Sequence, residues 1–160
     1  MATKEFDKKF TTLTEEALHN ILEYTRYSKE INCIYLYISL EGSPISLVFF
    51  RINGHISFQH KLNDFSIKDN FDISKENQTT LNCKGNEIAS KIKKAFIEDD
   101  REVPTNLKII YEPQNGIFEC KVGYEKLLDY DNMINEITVH FRWYKELGGI
   151  LTNWQEKILK

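Results

Sequence analysis

The sequence Cys33-Ile34-Tyr35-Leu36-Tyr37-Ile38-Ser39-Leu40 decides the fold. Aliphatic residues alternate here with cysteine, tyrosine and serine, and a period of two is typical of a β-strand. Both sets of side chains can be buried or half-buried, so neither face has to meet water. This pattern predicts a central strand of a sheet over residues 33–40.

A second and a third strand follow directly along the chain. Residues 41–44, Glu-Gly-Ser-Pro, are predicted to turn, and residues 45–52 carry apolar side chains on both faces of a strand. Asn53-Gly54 is the strongest hairpin signal in the sequence, because a type I′ turn needs two residues that tolerate positive φ. Residues 55–60 are therefore predicted to form the returning strand.

Helices are predicted on either side of this three-stranded unit. Thr12 and Glu15 have the spacing of a capping box, and the helical spacing that follows predicts a first helix over about residues 13–29. Residues 61–84 mix polar residues with single apolar ones, and are predicted to be loop that passes into the next helix. That helix is clear by Glu87 and ends at the charged residues 98–102, before Pro104.

Two more strands and a third helix complete the chain. Residues 107–112 and 117–122 are predicted strands, and residues 113–116 form the turn between them. Helical spacing over residues 131–146 predicts a helix that ends at Gly148-Gly149.

The tail has apolar residues at helical spacing, with Thr152 and Gln155 as a candidate cap. The order of elements favours the α+β class. We expect one domain over residues 1–160, with an antiparallel sheet of about five strands and the helices on one side of it.

The composition excludes several classes of function. The chain has 160 residues, a net charge of −3 and no basic cluster, which argues against direct binding of nucleic acid. The polar N-terminus does not resemble a signal sequence, and no apolar run is long enough to cross a membrane. Cys33, Cys83 and Cys120 are an odd number at wide spacing, which fits reduced thiols in a cytoplasm better than a disulfide framework.

Catalytic and metal-binding patterns are missing from the sequence. The histidines do not pair at metal-ligand spacing, and neither Cys-x-x-Cys nor Gly-x-Ser-x-Gly occurs. Asp129-Tyr130-Asp131 resembles the start of a calcium loop, but Ile134 occupies the position that requires glycine. A hydrolase that binds a metal through Asp99 and Asp100 is the remaining enzymatic alternative. We predict a protein that is not an enzyme and that uses no cofactor or metal.

Acidic residues concentrate in two segments. Residues 112–136 hold six acids and two bases, a net charge of −4, and residues 98–102 hold four acids and one base. A solvated surface explains such charge in many proteins. A surface that meets a basic partner explains it as well, because complementary potentials speed encounter and suppress wrong partners.

Several stretches of the C-terminal half resemble YezG-like immunity proteins. They are the helix exit and following strand Phe96-Ile97-Glu98-Asp99-Asp100-Arg101-Glu102-Val103-Pro104-Thr105-Asn106-Leu107, the strand Ile117-Phe118-Glu119-Cys120-Lys121-Val122 with the following Gly123-Tyr124-Glu125-Lys126-Leu127, and the helix Phe141-Arg142-Trp143-Tyr144-Lys145-Glu146-Leu147-Gly148. The opening helix and the strand around Ile34 agree more loosely. The resemblance covers about residues 10–150.

This resemblance implies a cytoplasmic antitoxin that binds and inhibits the nuclease domain of a cognate secreted bacterial toxin. The alternative is an interaction or scaffold domain without a toxin. The aromatic strands are compatible with a homodimer. The candidate toxin-interface residues are the acids and tyrosines of the two acidic segments: Glu98, Asp99, Asp100, Glu102, Tyr124, Glu125, Asp129, Tyr130 and Asp131.

Overall fold

The computed structural model describes residues 4–159, and its five strands form one antiparallel sheet in the order β3-β2-β1-β4-β5. The elements in chain order are α1 (Lys4–Tyr24), β1 (Ile31–Ser39), β2 (Ile45–Ile52), β3 (His55–Phe58), α2 (Lys75–Glu98), β4 (Asn106–Glu112), β5 (Ile117–Gly123), α3 (Glu136–Glu146) and α4 (Asn153–Ile158). The predicted α+β class and the five-stranded antiparallel sheet are confirmed.

The central position of β1 is also confirmed. β1 pairs with β2 on one side and with β4 on the other, so that Tyr35 lies between Phe49 and Ile110. Ile34, Leu36 and Ile38 are buried on one face of the strand. Tyr35 and Tyr37 are buried on the other face, which matches the alternation in the sequence.

The prediction that the helices lie on one side of the sheet was wrong. Buried residues of α1 and α2 pack with Ile34 and Phe50 on one face. Residues of α3 pack on the opposite face, where the Phe49 ring lies 5.2 Å from the rings of both Trp143 and Tyr144. Because β2 is apolar on both sides, each face requires its own layer of helix.

The first helix begins and ends earlier than predicted. α1 starts at Lys4, so Thr12 and Glu15 lie inside it and form no capping box. The N-terminal extension is held by the Phe6 ring, whose centroid lies 4.9 Å from that of Phe96 on α2. The helix ends at Tyr24, and two residues further on the backbone turns left-handed at Arg26, where φ is 54°.

Residues 61–84 begin as loop and end as helix, as predicted. They contain a short 3-10 turn, Leu62–Asp64, and α2 begins at Lys75 after the N-cap Ser74. The Glu30 carboxylate anchors the loop by accepting hydrogen bonds from the backbone N–H groups of Ile67 and Asp69 at 2.6 and 2.7 Å. The side-chain hydrogen bond from Asn53 and these backbone bonds lower the pKa of Glu30 to about 2.

Near the C-terminus, the predicted start of the third helix was wrong and the predicted start of the last helix is confirmed. The third helix begins at Glu136 rather than residue 131, because Asn135 and Thr138 form a capping box there. Residues 130–132 instead form a 3-10 turn. The predicted cap of the tail is confirmed, since Thr152 and Gln155 form a capping box at the start of α4.

Truncation of neighbouring core residues tests the two-sided sheet. Phe49 and Phe50 are both fully buried, on opposite faces. Phe49→Ala and Phe50→Ala should each lower the free energy of unfolding by about 3–5 kcal/mol in urea titrations. Ile150→Ala, at an exposed position, is the control and should change it by less than about 0.5 kcal/mol. A Phe49→Ala protein as stable as the control would contradict a second core under α3.

A buried histidine in that second core makes stability depend on pH. His140 lies against Phe49 and Phe58, with ring centroids 5.6 and 5.7 Å away, and burial lowers its pKa to about 4. The unfolded chain therefore binds the proton more readily, and the stability contributed by the neutral ring is lost as pH falls from about 6.5 towards 4. Between pH 7 and pH 5 we expect the free energy of unfolding to drop by about 2 kcal/mol from this group. Urea titrations of His140→Gln should show a correspondingly smaller drop, and an equal drop in both proteins would contradict this assignment.

Candidate functional site

The candidate interface residues of the two acidic segments lie at the same end of the sheet. Residues 98–102 are separated from β4 only by residues 103–105, residues 124–131 follow β5, and the two strands pair so that Asn106 lies opposite Gly123. Thr105 joins the segments, because its Oγ1 donates hydrogen bonds to the backbone oxygens of Gly123 at 3.2 Å and Glu125 at 2.6 Å. The antiparallel hairpin therefore brings together residues that are about twenty positions apart in sequence.

In the first segment two of the acids already have basic partners. Glu98 forms an ion pair with Lys9 of α1 at 3.1 Å, and this hydrogen bond lowers the pKa of Glu98. Asp99 caps the end of α2 and accepts a hydrogen bond from Arg101 Nε at 2.5 Å. Both carboxylates thus help to hold α1 and the exit of α2. Asp100 and Glu102 are exposed at this end.

The second segment is held in place by a carboxylate from the β1–β2 turn. Glu41 accepts hydrogen bonds from the backbone N–H of Leu127 at 2.8 Å and from that of Leu128 at 3.1 and 3.2 Å. The Leu128 side chain is buried, so the segment is fastened from the backbone and from the core. Charge-assisted bonds to backbone N–H are among the stronger hydrogen bonds in proteins.

Beyond Leu128 the chain makes a tight turn that presents Tyr130 and Asp131. Asp129 accepts a 2.6 Å hydrogen bond from Asn132 Nδ2, which lowers its pKa. The Tyr130 hydroxyl donates to Glu136 at 2.8 Å, and this bond raises the pKa of the phenol. The same hydroxyl lies so close to Gly42 that a Cβ there would be 3.0 Å from it, so a side chain at position 42 would crowd Tyr130.

Some of the predicted site residues remain open to solvent and others do not. Tyr124 and Tyr130 are 51% and 60% exposed, so both rings are accessible to a partner. Four exposed carboxylates before β4 and after β5, those of Asp100, Glu102, Glu125 and Asp131, form what we call the acidic rim. Glu98, Asp99 and Asp129 lie at the same end of the sheet but are engaged in contacts within the protein.

This end of the sheet offers charge and hydrogen-bond acceptors. Within residues 4–159, no group of three or more His, Cys, Asp or Glu side chains is arranged to hold a metal ion. Across the same part of the chain, no helix is both long and apolar enough to span a bilayer. Beside Tyr130 there is a cleft of about 250 Å³, which Glu41, Lys126 and Asp129 help to line.

Sequence reasoning missed the residues that position the site. Glu41 was predicted only as part of a turn, and it binds Leu127 across 86 positions of sequence. No role was predicted for Thr105. Neither contact has a local signature, because each depends on the pairing of β1, β4 and β5.

The fold and this site define a class: an α+β domain that presents exposed carboxylates and tyrosines at one end of an antiparallel sheet. A family model described as Immunity protein YezG-like matches residues 6–157, nearly the whole chain. The chain therefore belongs to the YezG-like immunity protein family, which confirms the resemblance and suggests an immunity role. Proteins of this kind are generally non-catalytic. A comparison with curated proteins gives no significant match.

Removing the charge of Glu41 tests how the second segment is held. In Glu41→Gln we expect amide hydrogen exchange at Leu127 and Leu128 to become at least about tenfold faster, since hydrogen bonds to charged groups contribute roughly 1.5–3 kcal/mol. Glu125→Gln, on the exposed rim, is the matched control and should leave those amides unchanged. Equal exchange in Glu41→Gln and in the unaltered protein would show that the carboxylate does not hold this segment.

Proposed function

We propose that this protein is a cytoplasmic antitoxin that binds the nuclease domain of a cognate secreted toxin and blocks it stoichiometrically. The supporting observation is the acidic rim, carried on a chain that belongs to an immunity protein family. The rim residues are exposed, whereas neighbouring acids such as Glu98 are already neutralised by basic partners. Exposed carboxylates at one end of a rigid sheet are well placed to meet a basic surface.

The choice of a nuclease as the partner rests on charge. A nuclease must attract phosphate groups, so the surface around its active site is basic. The electrostatic field of that basic surface also attracts an acidic inhibitor, which speeds association and disfavours wrong partners. The net charge of −3 for the whole chain adds a weaker attraction in the same direction.

Two tyrosines supply the apolar part of the proposed interface. Tyr124 directly follows β5, and Tyr130 is fixed by its bond to Glu136. Tyrosine is enriched among the residues that contribute most to protein–protein binding, because it combines a large apolar ring with a polar tip. We propose that these two rings contact the toxin while the acidic rim surrounds them.

A nuclease assay with the cognate toxin, sought among the products of adjacent genes, tests the proposal. A tenfold molar excess of this protein should abolish cleavage of nucleic acid. The triple variant Glu102→Lys, Glu125→Lys and Asp131→Lys should bind at least about tenfold more weakly, mainly through slower association, and its affinity should depend less on salt.

A matched variant controls for the change in total charge. Glu16→Lys, Glu23→Lys and Glu87→Lys make the same change on exposed positions of α1 and α2, away from the rim. This protein should inhibit like the unaltered one. Full inhibition by the rim variant would disprove the acidic interface, and full toxin activity in the presence of the unaltered protein would disprove inhibition of that nuclease.

A further inference from the structure

The strand β5 is the last in the sheet and pairs only with β4. It presents three partly exposed apolar side chains, Ile117, Phe118 and Val122, which are 52%, 47% and 42% exposed. Within residues 4–159 nothing pairs with its outer side, so a row of backbone N–H and C=O groups is open there. Proteins usually protect such an edge, because it is a template for another strand.

The side chains of β5 divide between the two faces of the sheet. Cys120 pairs with Ile109, whose side chain is buried under α1 and α2, so Phe118, Cys120 and Val122 point to that side. Ile117, Glu119 and Lys121 point to the side of α3, because side chains alternate along a strand. Glu119 and Lys121 therefore lie on one face, one residue on either side of Cys120.

We propose that β5 is the dimer interface of this protein, and that a second copy pairs with it in antiparallel fashion about a two-fold axis through Cys120. Antiparallel pairing about that axis places Glu119 of each copy opposite Lys121 of the other, and Phe118 of each opposite Val122 of the other. The result is a continuous sheet of ten strands with two cross-strand ion pairs. This inference does not depend on the identity of any toxin.

The charges of Glu119 and Lys121 favour an axis through Cys120 over an axis one residue further along β5 in either direction. Pairing about a two-fold axis keeps side chains of the same face opposite each other, so the axis can move only in steps of one residue along β5. An axis through Glu119 would bring the two Glu119 side chains together, and an axis through Lys121 would do the same for the two lysines. Like charges directly opposite each other destabilise a strand pair, whereas opposite charges stabilise it.

An apolar groove beside β5 also favours a second copy of the chain as the binding partner. A cavity of about 450 Å³ lies between α1 and the sheet, and its lining includes Phe10, Leu18, Tyr111 and Phe118. In the proposed pairing, Val122 of the second copy lies over the Phe118 end of this groove and removes apolar surface from water. A self-complementary charge pattern together with apolar side chains on the same strand is what a symmetric interface requires.

Charge reversal tests the register in the full-length protein. Sedimentation equilibrium should give a dimer, and Glu119→Lys or Lys121→Glu alone should each raise its dissociation constant at least about tenfold. An equimolar mixture of these two variants should form a heterodimer, since every pair across its interface is then of opposite charge. Glu87→Lys, which reverses an exposed acid on α2, is the control and should dimerise normally. Circular dichroism checks that each variant is folded.

Cysteine cross-linking locates the axis. In a Cys83→Ser background, mild oxidation should link two chains through Cys120, because directly opposite residues have Cα atoms about 4.5–5.5 Å apart, within disulfide range. In the matched variant Cys83→Ser, Cys120→Ser and Val122→Cys, the two introduced cysteines would lie about 14 Å apart, and no link should form.

Three outcomes would overturn the proposal. A monomer at millimolar concentration would exclude the dimer, and a dimer insensitive to both charge reversals would place the interface elsewhere. A monomer whose β5 amides become protected from hydrogen exchange only after toxin is added would assign this edge to the toxin instead. That last result would leave the proposed toxin inhibition intact, so the two proposals fail separately.

Discussion

The burial of β1 on both of its faces is the constraint on which the structure depends. Tyr37 and Leu36 point to opposite sides of the sheet, and both are almost completely inaccessible to water. Covering only one side would leave a row of aliphatic or tyrosine side chains in solvent, at a cost of roughly 1.5–3 kcal/mol for each large residue. The chain therefore has to return with helix on both faces, and α1, α2 and α3 take these positions.

The helices do not cover the whole sheet. The exposed strand β5 and the acidic rim lie where this helical cover ends. The helices bury most of β1 and half of β2, but β5 projects beyond them with exposed side chains on both faces. The segments before β4 and after β5 leave the core at the same end and carry the acidic rim. The centre of the sheet is thus closed to solvent, whereas its β5 edge and the end that carries the acidic rim are accessible.

Local patterns predicted the strands and some turns well, since their causes are local. Asn53-Gly54 adopts the two positive φ angles that its turn requires, and Thr152 caps its helix through a bond three residues away. The start of α1 was mispredicted because Phe6 is held by Phe96, ninety positions further along the chain. The acids of the site could be read from charge alone, but their arrangement depends on Glu41 and on strand pairing.

The carboxylates fall into two groups that net charge does not distinguish. Glu30 and Glu41 each accept hydrogen bonds from backbone N–H groups of a distant loop, so replacing either would release that loop. Glu102, Glu125 and Asp131 are exposed, and substitution there changes stability little. Their positions can therefore follow the demands of a partner while the fold stays the same. An acid that holds backbone is structural and an acid left in solvent is available for recognition, so the interface that we propose uses only the second group.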